Sequence, residues 1–135
     1  VEPHLVADSL ALSQAQRLVR KLCSYCKRPL TPTPQIRELF ARQGLPLEKD
    51  GKPIFMASGC SECSGTGYTG RIALIEMTEM NTELADLVER QASQTELRAA
   101  ARKSGYQTLY QEGLLQVLSG NTTLDEIQKV SYTAY

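Results

Sequence analysis

The four cysteines of the chain form two C-x-x-C pairs. Cys23 and Cys26 make the first pair, Cys60 and Cys63 make the second, and 33 residues separate the pairs. A C-x-x-C turn places two sulfur atoms about one tetrahedral edge apart, so two such turns facing each other complete a four-thiolate site. We therefore predict that these four residues bind one zinc ion. Since four sulfur ligands leave no open position for water or substrate, the predicted role is structural.

Two other uses of paired cysteines remain open from the sequence alone. Four cysteines can form two disulfides in any of three pairings, although the first residues show no secretion signal and the cytosol keeps thiols reduced. A redox-active C-x-x-C pair normally stands alone beside a β-α-β unit, whereas this motif occurs twice. A third alternative is four unrelated buried thiols, which the paired spacing disfavours. The repeated spacing favours the metal over all three alternatives.

Secondary structure around the pairs must hold them in position. A helix is predicted over residues 6–22, ending at the first pair, because apolar residues recur there at helical spacing. These residues are Ala11, Ala15, Leu18, Val19 and Leu22. Between the pairs, Thr33 as N-cap and Pro34 in the first turn predict a second helix that stops at Gly44. Residues 53–56 predict a short strand leading to the second pair.

Groups that would support the metal follow the second pair and flank the first. Gly65 and Gly67 allow a tight turn that aims backbone N–H groups at the sulfur atoms. Four thiolates on a divalent cation carry a net charge of −2, which nearby cations would offset. These cations are Arg20, Lys21, Lys27, Arg28 and Arg71.

The remainder of the chain predicts one strand and then short helices. The continuously apolar residues 71–77 predict a buried strand that rejoins a larger sheet. The last 55 residues or so show four helical stripes, with capping boxes expected at two helix starts. The capping-box pairs are Ser93 with Glu96 and Thr123 with Glu126. The predicted fold class is mainly α with a small β component.

Composition and motifs exclude several functions. The formal net charge is 0, aromatic residues make up 6% and tryptophan is absent, which argues against a nucleic-acid-binding surface. The sequence contains no phosphate-binding loop, and the glycine-rich residues 65–70 lack the lysine that such a loop needs. His4 has no neighbouring ligand type, and carboxylate pairs such as Asp125 with Glu126 are interpreted as solvated positions. No catalytic or cofactor-binding residue is predicted.

The order of these motifs resembles the C-terminal part of the type II secretion and type IV pilus assembly ATPases. The matching residues are Glu2, Pro3, residues 5–7 and 16–20, Leu22, the four cysteines, Gly59, residues 66–68, Gly70, Arg71, Glu76, Glu96, Leu97, Gly105, Thr108, Leu109, Gly113, Gly120 and residues 122–124. The departures are His4, where the family more often has an aromatic residue, and Ser24, where proline is frequent. The resemblance covers nearly the whole chain.

The resemblance implies a hexameric motor in which a RecA-like P-loop ATPase core precedes a tetracysteine zinc-binding subdomain and a C-terminal helical bundle. On that plan, residues 1–22 are the terminal helix of the core, residues 23–70 the zinc subdomain, and residues 71–135 the returning strand and the helices. The ATP- and magnesium-binding parts would precede Val1. Because the chain also begins without methionine, we expect a fragment that does not hydrolyse ATP alone.

The resemblance further implies a location in the cytoplasm, peripheral to the inner membrane. The expected partners are neighbouring subunits of a homohexamer and the inner-membrane platform protein, and no nucleic acid. Candidate contact residues lie in the insert between the cysteine pairs: Arg37, Arg42, Lys49 and Lys52. The alternative for these four is an ordinary solvated charged face.

Two other protein classes share parts of the cysteine pattern. A zinc-ribbon module that binds nucleic acid would need a basic stripe with aromatic residues. An Hsp40-like chaperone zinc domain has C-x-x-C-x-G-x-G repeats, which Cys60 to Gly67 resembles, but the first pair lacks the glycines. Both remain alternatives at this stage.

Overall fold

The computed structural model describes residues 1–48 and 51–131. Within those ranges the helices are α1 (Pro3–Ser9), α2 (Pro34–Arg42), α3 (Thr82–Glu89), α4 (Gln94–Lys103), α5 (Leu109–Leu118) and α6 (Leu124–Val130). The strands are β1 (Leu12–Leu22), β2 (Arg28–Leu30), β3 (Ile54–Met56) and β4 (Tyr68–Glu79). The mainly helical fold class with a small β component is confirmed. None of these helices is long and apolar enough to cross a membrane.

The predicted helix over residues 6–22 is wrong. A short helix, α1, ends at Ser9, and the chain then continues as the 11-residue strand β1, which pairs with β4. Helical spacing of apolar residues was misleading here because pairing with a distant strand overrides local periodicity. Of the predicted apolar face, Val19 and Leu22 are buried, whereas Leu18 is exposed.

The insert between the cysteine pairs has the predicted helix and strand. The Thr33 side chain accepts a hydrogen bond from the Ile36 N–H, Pro34 occupies the first turn of α2, and Gly44 follows the helix at a positive φ of 74°. The short strand β3 pairs antiparallel with β2, with Arg28 opposite Met56. This second pairing was not predicted.

The strand after the second cysteine pair is longer and more exposed than predicted. Residues 71–77 lie within β4, but among them only Leu74 is buried, and the exposed side chains include Ile75 and Met77. In the described part of the chain, β4 has β1 as its only sheet neighbour. Both faces of a two-stranded sheet are exposed to solvent wherever no helix packs on them. The predicted buried strand within a larger sheet is therefore not found in the described residues.

The four helices predicted after β4 are present, but only one of the two predicted capping boxes is formed. Ser93 and Glu96 form the complete reciprocal capping box at the start of α4. At α6 the Thr123 hydroxyl accepts a hydrogen bond from the Glu126 N–H, but the Glu126 side chain does not return to the cap. That carboxylate instead binds Arg20, and Glu126 is buried. The predicted second capping box and the solvated position of Glu126 are therefore wrong.

The chain divides into two compact units. Unit 1 contains residues 1–16 and 75–108, in which α1 packs on α3 and α3 packs on α4 around Leu84, Leu87, Ala100 and Ala101. Unit 2 contains residues 17–74 and those from 109 onward, in which α5 contacts α6 and β3. Its core consists of Val19, Phe40, Ile54, Leu74, Leu114, Val117 and Ile127. All four cysteines belong to unit 2.

Candidate metal centre

Two strand pairings bring the cysteine pairs together. β1 ends immediately before Cys23, and its partner β4 begins five residues after Cys63. β2 begins two residues after Cys26, and its partner β3 ends four residues before Cys60. Each C-x-x-C turn therefore joins one strand of each sheet. Because both sheets meet at these turns, backbone pairing alone places the two turns against each other.

The four sulfur atoms form a compact cluster. All four Sγ atoms lie within 4.8 Å of one another. The Sγ atoms of Cys23 and Cys60 are 3.8 Å apart, those of Cys26 and Cys63 are 3.8 Å apart, and those of Cys60 and Cys63 are 3.7 Å apart. Zinc–sulfur bonds of about 2.3 Å in a tetrahedron require sulfur–sulfur edges of about 3.8 Å. The cluster thus has the dimensions of a tetrathiolate metal site.

The same distances bear on the disulfide alternative. A disulfide holds two sulfur atoms at about 2.05 Å, and all four cysteines here are free. Cys23 and Cys63 are buried, while Cys26 and Cys60 are partly exposed. Four convergent thiols without a carboxylate or a histidine are the donor set that soft or borderline cations such as zinc prefer. The residues present therefore fit a zinc ion.

Backbone N–H groups support the sulfur atoms. The N–H groups of Cys60 and Gly67 each donate to the Cys63 Sγ at 3.2 Å, and the Gly59 N–H donates to the Cys26 Sγ at 3.3 Å. Such donors stabilise negative charge on a coordinating thiolate. Both glycines of the predicted tight turn have positive φ, of 78° at Gly65 and 82° at Gly67. Gly67 donates its own N–H to a sulfur, whereas the Gly65 N–H closes the turn on the Cys60 carbonyl oxygen. Gly59 was missed because no spacing rule marks a glycine placed before a C-x-x-C pair.

The cysteine thiols differ in acidity for local reasons. Burial raises the pKa of the Cys63 thiol, but the N–H groups of Cys60 and Gly67 outweigh it and bring that pKa down to about 6. Burial raises the pKa of the Cys26 thiol to about 11, despite the opposing N–H group of Gly59. A bound cation would displace the protons of the thiols that coordinate it.

Two of the five predicted charge-balancing cations have other partners. The Lys27 ammonium donates to the Gly120 carbonyl oxygen at 2.9 Å and lies 4.5 Å from the centre of the Phe55 ring. The Arg20 guanidinium donates to the Glu126 carboxylate at 2.7 and 3.2 Å. Arg20 therefore connects β1 to α6, and Lys27 connects the end of the first cysteine turn to the segment between α5 and α6. Local sequence patterns did not reveal either role.

The Arg20–Glu126 pair is the centre of a polar cluster in unit 2. The Glu126 carboxylate also accepts the Arg20 backbone N–H at 3.0 Å. The guanidinium of Arg20 stacks 4.1 Å above the centre of the Tyr68 ring, and the Tyr68 hydroxyl is 2.9 Å from the Thr123 hydroxyl. Together these contacts tie β1 and β4 to the start of α6.

The candidate contact residues of the insert differ in exposure and in the contacts that their side chains make. The Arg37 guanidinium donates to the carbonyl oxygens of Leu47 and Glu48 at 3.2 and 3.1 Å, which stabilises the loop after α2. Arg42 forms an exposed ion pair with Glu38 on the same helix. Lys52 is exposed, and Lys49 lies outside the described residues.

Comparison with known proteins gives consistent relatives. The family described as "Type II/IV secretion system protein" matches residues 1–129. The type IV pilus assembly ATPase PilB of Thermus thermophilus is 38% identical over 128 residues, which cover 94% of this chain and 14% of that protein. The type II secretion system protein HxcR of Pseudomonas aeruginosa is 35% identical over 134 residues, covering 99% of this chain and 24% of that protein.

A further relative extends the same pattern. The putative type II secretion system protein E of Escherichia coli is 34% identical over 131 residues, covering 97% of this chain and 26% of that protein. The chain spans about a quarter or less of the length of these relatives. The family match runs through both cysteine pairs and through the helices that follow them. The chain belongs to the type II/IV secretion system protein family.

Proposed function

We propose that this chain is the C-terminal region of a secretion or pilus-assembly motor ATPase, and that zinc holds its inserted subdomain together. The tetrahedral spacing of the four cysteine sulfurs, in a chain of this family, is the observation that carries the proposal. Names of the similar proteins support the motor assignment, since several are pilus-assembly ATPases. Zinc supplies fixed, closed coordination when bound and no reactive position.

The proposed domain boundaries follow the domain order of the family. Residues 1–22 come from the end of a RecA-like core, as a helix and a strand rather than as one helix. Residues 23–70 are the zinc subdomain, and residues 71–135 return to the core and form the C-terminal helices. ATP, magnesium and the residues that hydrolyse ATP belong to the remainder of the motor, which acts as a hexamer. We expect the 135-residue chain alone to have no ATPase activity.

The zinc subdomain serves as a rigid arm at the cytoplasmic face of the inner membrane. Metal coordination fixes the two cysteine turns at the base of the insert, while Phe40 and Ile54 of the insert pack in the core of unit 2. The surface of the insert therefore keeps one shape while the motor changes state. Its partner is the inner-membrane platform protein or a neighbouring subunit. The exposed cations Arg42 and Lys52, together with Lys49, are the contact residues of this proposal, whereas Arg37 maintains the loop between them.

Metal content tests the first part of the proposal. The purified chain should contain one zinc per chain, and its four thiols should react with a thiol reagent only after chelation. The double variant Cys60→Ser with Cys63→Ser should lose zinc, whereas Ser61→Ala, within the same turn, should retain it. A preparation with less than stoichiometric metal, or with a disulfide inside either pair, would contradict the zinc assignment.

Pull-down experiments with the complete motor test the second part. Reversing the charges at Arg42, Lys49 and Lys52 to glutamate should reduce retention of the platform protein while leaving the zinc content unchanged. A matched control reverses Arg102 and Lys103 in α4 of unit 1. Equal retention by both variants would remove the insert as the contact surface. Size-exclusion chromatography with nucleotide then distinguishes a subunit contact from a platform contact.

A further inference from the structure

The turn between α5 and α6 is held by the residues on either side of the first cysteine pair. Leu22, which precedes Cys23, donates its N–H to the Asn121 carbonyl oxygen at 2.8 Å. Lys27, which follows Cys26, donates its ammonium to the Gly120 carbonyl oxygen at 2.9 Å. Two adjacent carbonyl groups of one turn thus bind the two ends of one C-x-x-C turn.

The fit at Gly120 is close. Gly120 has a φ of 74°, and a Cβ atom placed there would lie 3.1 Å from both the Lys27 ammonium and the Phe55 ring. The same ammonium lies 4.5 Å from the centre of the Phe55 ring. The backbone conformation therefore favours glycine, and an added Cβ would displace the ammonium or the ring by a few tenths of an ångström. The lysine contact is part of the packing of this turn, since it is enclosed by Gly120 and Phe55.

The start of α6 is anchored on the same strand. The Thr122 hydroxyl donates to the Arg20 carbonyl oxygen at 2.8 Å, and Glu126 binds the Arg20 backbone N–H and guanidinium. Arg20 lies three residues before Cys23. The contacts of α6 with β1 therefore converge on the few residues that lead into the first ligand.

We propose that the α5–α6 turn belongs to the support of the metal centre, so that metal binding and docking of α6 strengthen each other. The inference rests on the proposed zinc site. A metal ion fixes the Cys23–Cys26 turn, and that turn presents Leu22 and Lys27 to the carbonyl groups in the correct geometry. Without the ion the turn has more conformations, and both hydrogen bonds must be formed at an additional entropic cost.

Thermodynamic reciprocity makes the coupling measurable from both ends. If docking of the turn raises metal affinity by some factor, metal binding must favour docking by the same factor. Groups that support metal ligands without touching the metal typically change affinity by about 10–100-fold. We expect the lower end of that range, about tenfold, because Lys27 acts through the backbone of Cys26 rather than on its sulfur.

Metal affinity of a lysine variant provides the first test. Lys27→Met keeps an apolar side chain against Phe55 but removes the donor to Gly120, and it should weaken zinc binding about tenfold in competition with a chromophoric chelator. Lys21→Met is the matched control, because it removes the same charge two residues before Cys23. The Lys21 side chain has no hydrogen bond or ion pair within residues 1–48 and 51–131. Equal weakening by both variants would indicate a general charge effect and overturn the coupling.

Hydrogen exchange of the unaltered chain provides a second test that needs no variant. Chelation of zinc should accelerate exchange of the α6 amides at residues 124–130 about tenfold, with little change in α4 of unit 1. Unchanged α6 exchange, in a chain that binds one zinc, would overturn the coupling and leave the metal site standing. A chain that binds no zinc would overturn both proposals. If Lys27→Met does not fold, the hydrogen-exchange comparison decides, because it uses the unaltered chain.

Discussion

Removal of the charge on Glu126 is the sharpest test of how unit 2 is held together. The Glu126 residue is 5% exposed, and its carboxylate accepts hydrogen bonds from the Arg20 backbone, the Arg20 guanidinium and Lys129. In Glu126→Gln the amide oxygen can replace only some of these contacts, and the amide NH₂ would face the donors of Arg20. We therefore expect a clear loss of stability.

The magnitude follows from the acidity of the carboxyl group. Burial raises the pKa of Glu126, but the hydrogen bonds from Arg20 and Lys129 outweigh it and lower the pKa from 4.5 to about 2. Such a difference corresponds to about 3 kcal/mol of stabilisation at neutral pH. Because the Arg20 side chain is 47% exposed, water screens part of this interaction. We expect Glu126→Gln to lower the free energy of unfolding by about 2 kcal/mol.

The pH dependence has a definite sign. A carboxyl whose pKa is lowered by folding contributes its full stabilisation above the unfolded pKa, and loses it as the pH falls toward the folded pKa. The difference between the wild-type chain and Glu126→Gln should therefore be constant above pH 5. It should shrink between about pH 4.5 and pH 2.

Urea denaturation followed by circular dichroism measures this difference. Glu38→Gln is the matched control, because Glu38 makes an exposed ion pair with Arg42 in the same unit and should cost less than about 0.5 kcal/mol. Any loss of metal in acid is common to both variants, so the quantity to follow is the difference between them at each pH. If the two variants were equally stable at pH 7, the buried ion pair would contribute nothing to the fold.

Three further substitutions test individual contacts. Gly67→Ala should weaken zinc binding by about tenfold or more, because a Cβ there would lie 2.7 Å from the Ala57 side chain and displace the N–H that binds Cys63. Gly65→Ala is the control, since Gly65 also has positive φ but a Cβ there would have no atom within 4 Å. It should have a smaller effect on zinc affinity. Gly113→Ala should lower the free energy of unfolding of unit 2 by about 1–3 kcal/mol in urea denaturation, since its Cβ would lie 2.7 Å from the Ile127 side chain. An unchanged free energy of unfolding would contradict the packing of α5 on α6. Ser93→Ala should lower helix stability by about 1 kcal/mol through loss of the capping box, detectable as faster exchange of the first α4 amides while zinc affinity is unchanged.

Features written in short stretches of sequence were predictable here. The cluster of four thiols was expected from two C-x-x-C pairs, and the starts of α2 and α4 follow from Thr33 with Pro34 and from Ser93 with Glu96. Within each cysteine pair and at each of these helix starts the interacting groups lie within a few residues, so their spacing alone defines the local geometry. The convergence of the two pairs, by contrast, depends on strands that are far apart in the sequence.

Features that depend on distant partners were not predictable in the same way. Residues 12–22 have helical apolar spacing, yet they form a strand because β4, about fifty residues later, supplies the pairing. Glu126 occupies the third position of an apparent capping box, yet its carboxylate binds Arg20, 106 residues earlier. Local propensity does not predict the structure of a segment whose buried charge or strand edge is paired by residues far away in the sequence.

The pairing of β2 with β3, which the sequence did not predict, determines what zinc contributes. Without that pairing, the metal would have to close the whole 33-residue insert against its chain entropy. In the structure, β2 and β3 pair with Arg28 opposite Met56, so the insert is already closed two residues after Cys26 and four residues before Cys60. The core of unit 2, which includes Phe40 and Leu114, also lies outside the cysteine turns. Zinc therefore has a short junction between two sheets to fix, and its removal should loosen that junction and the α5–α6 turn bound to it while the remaining core stays packed.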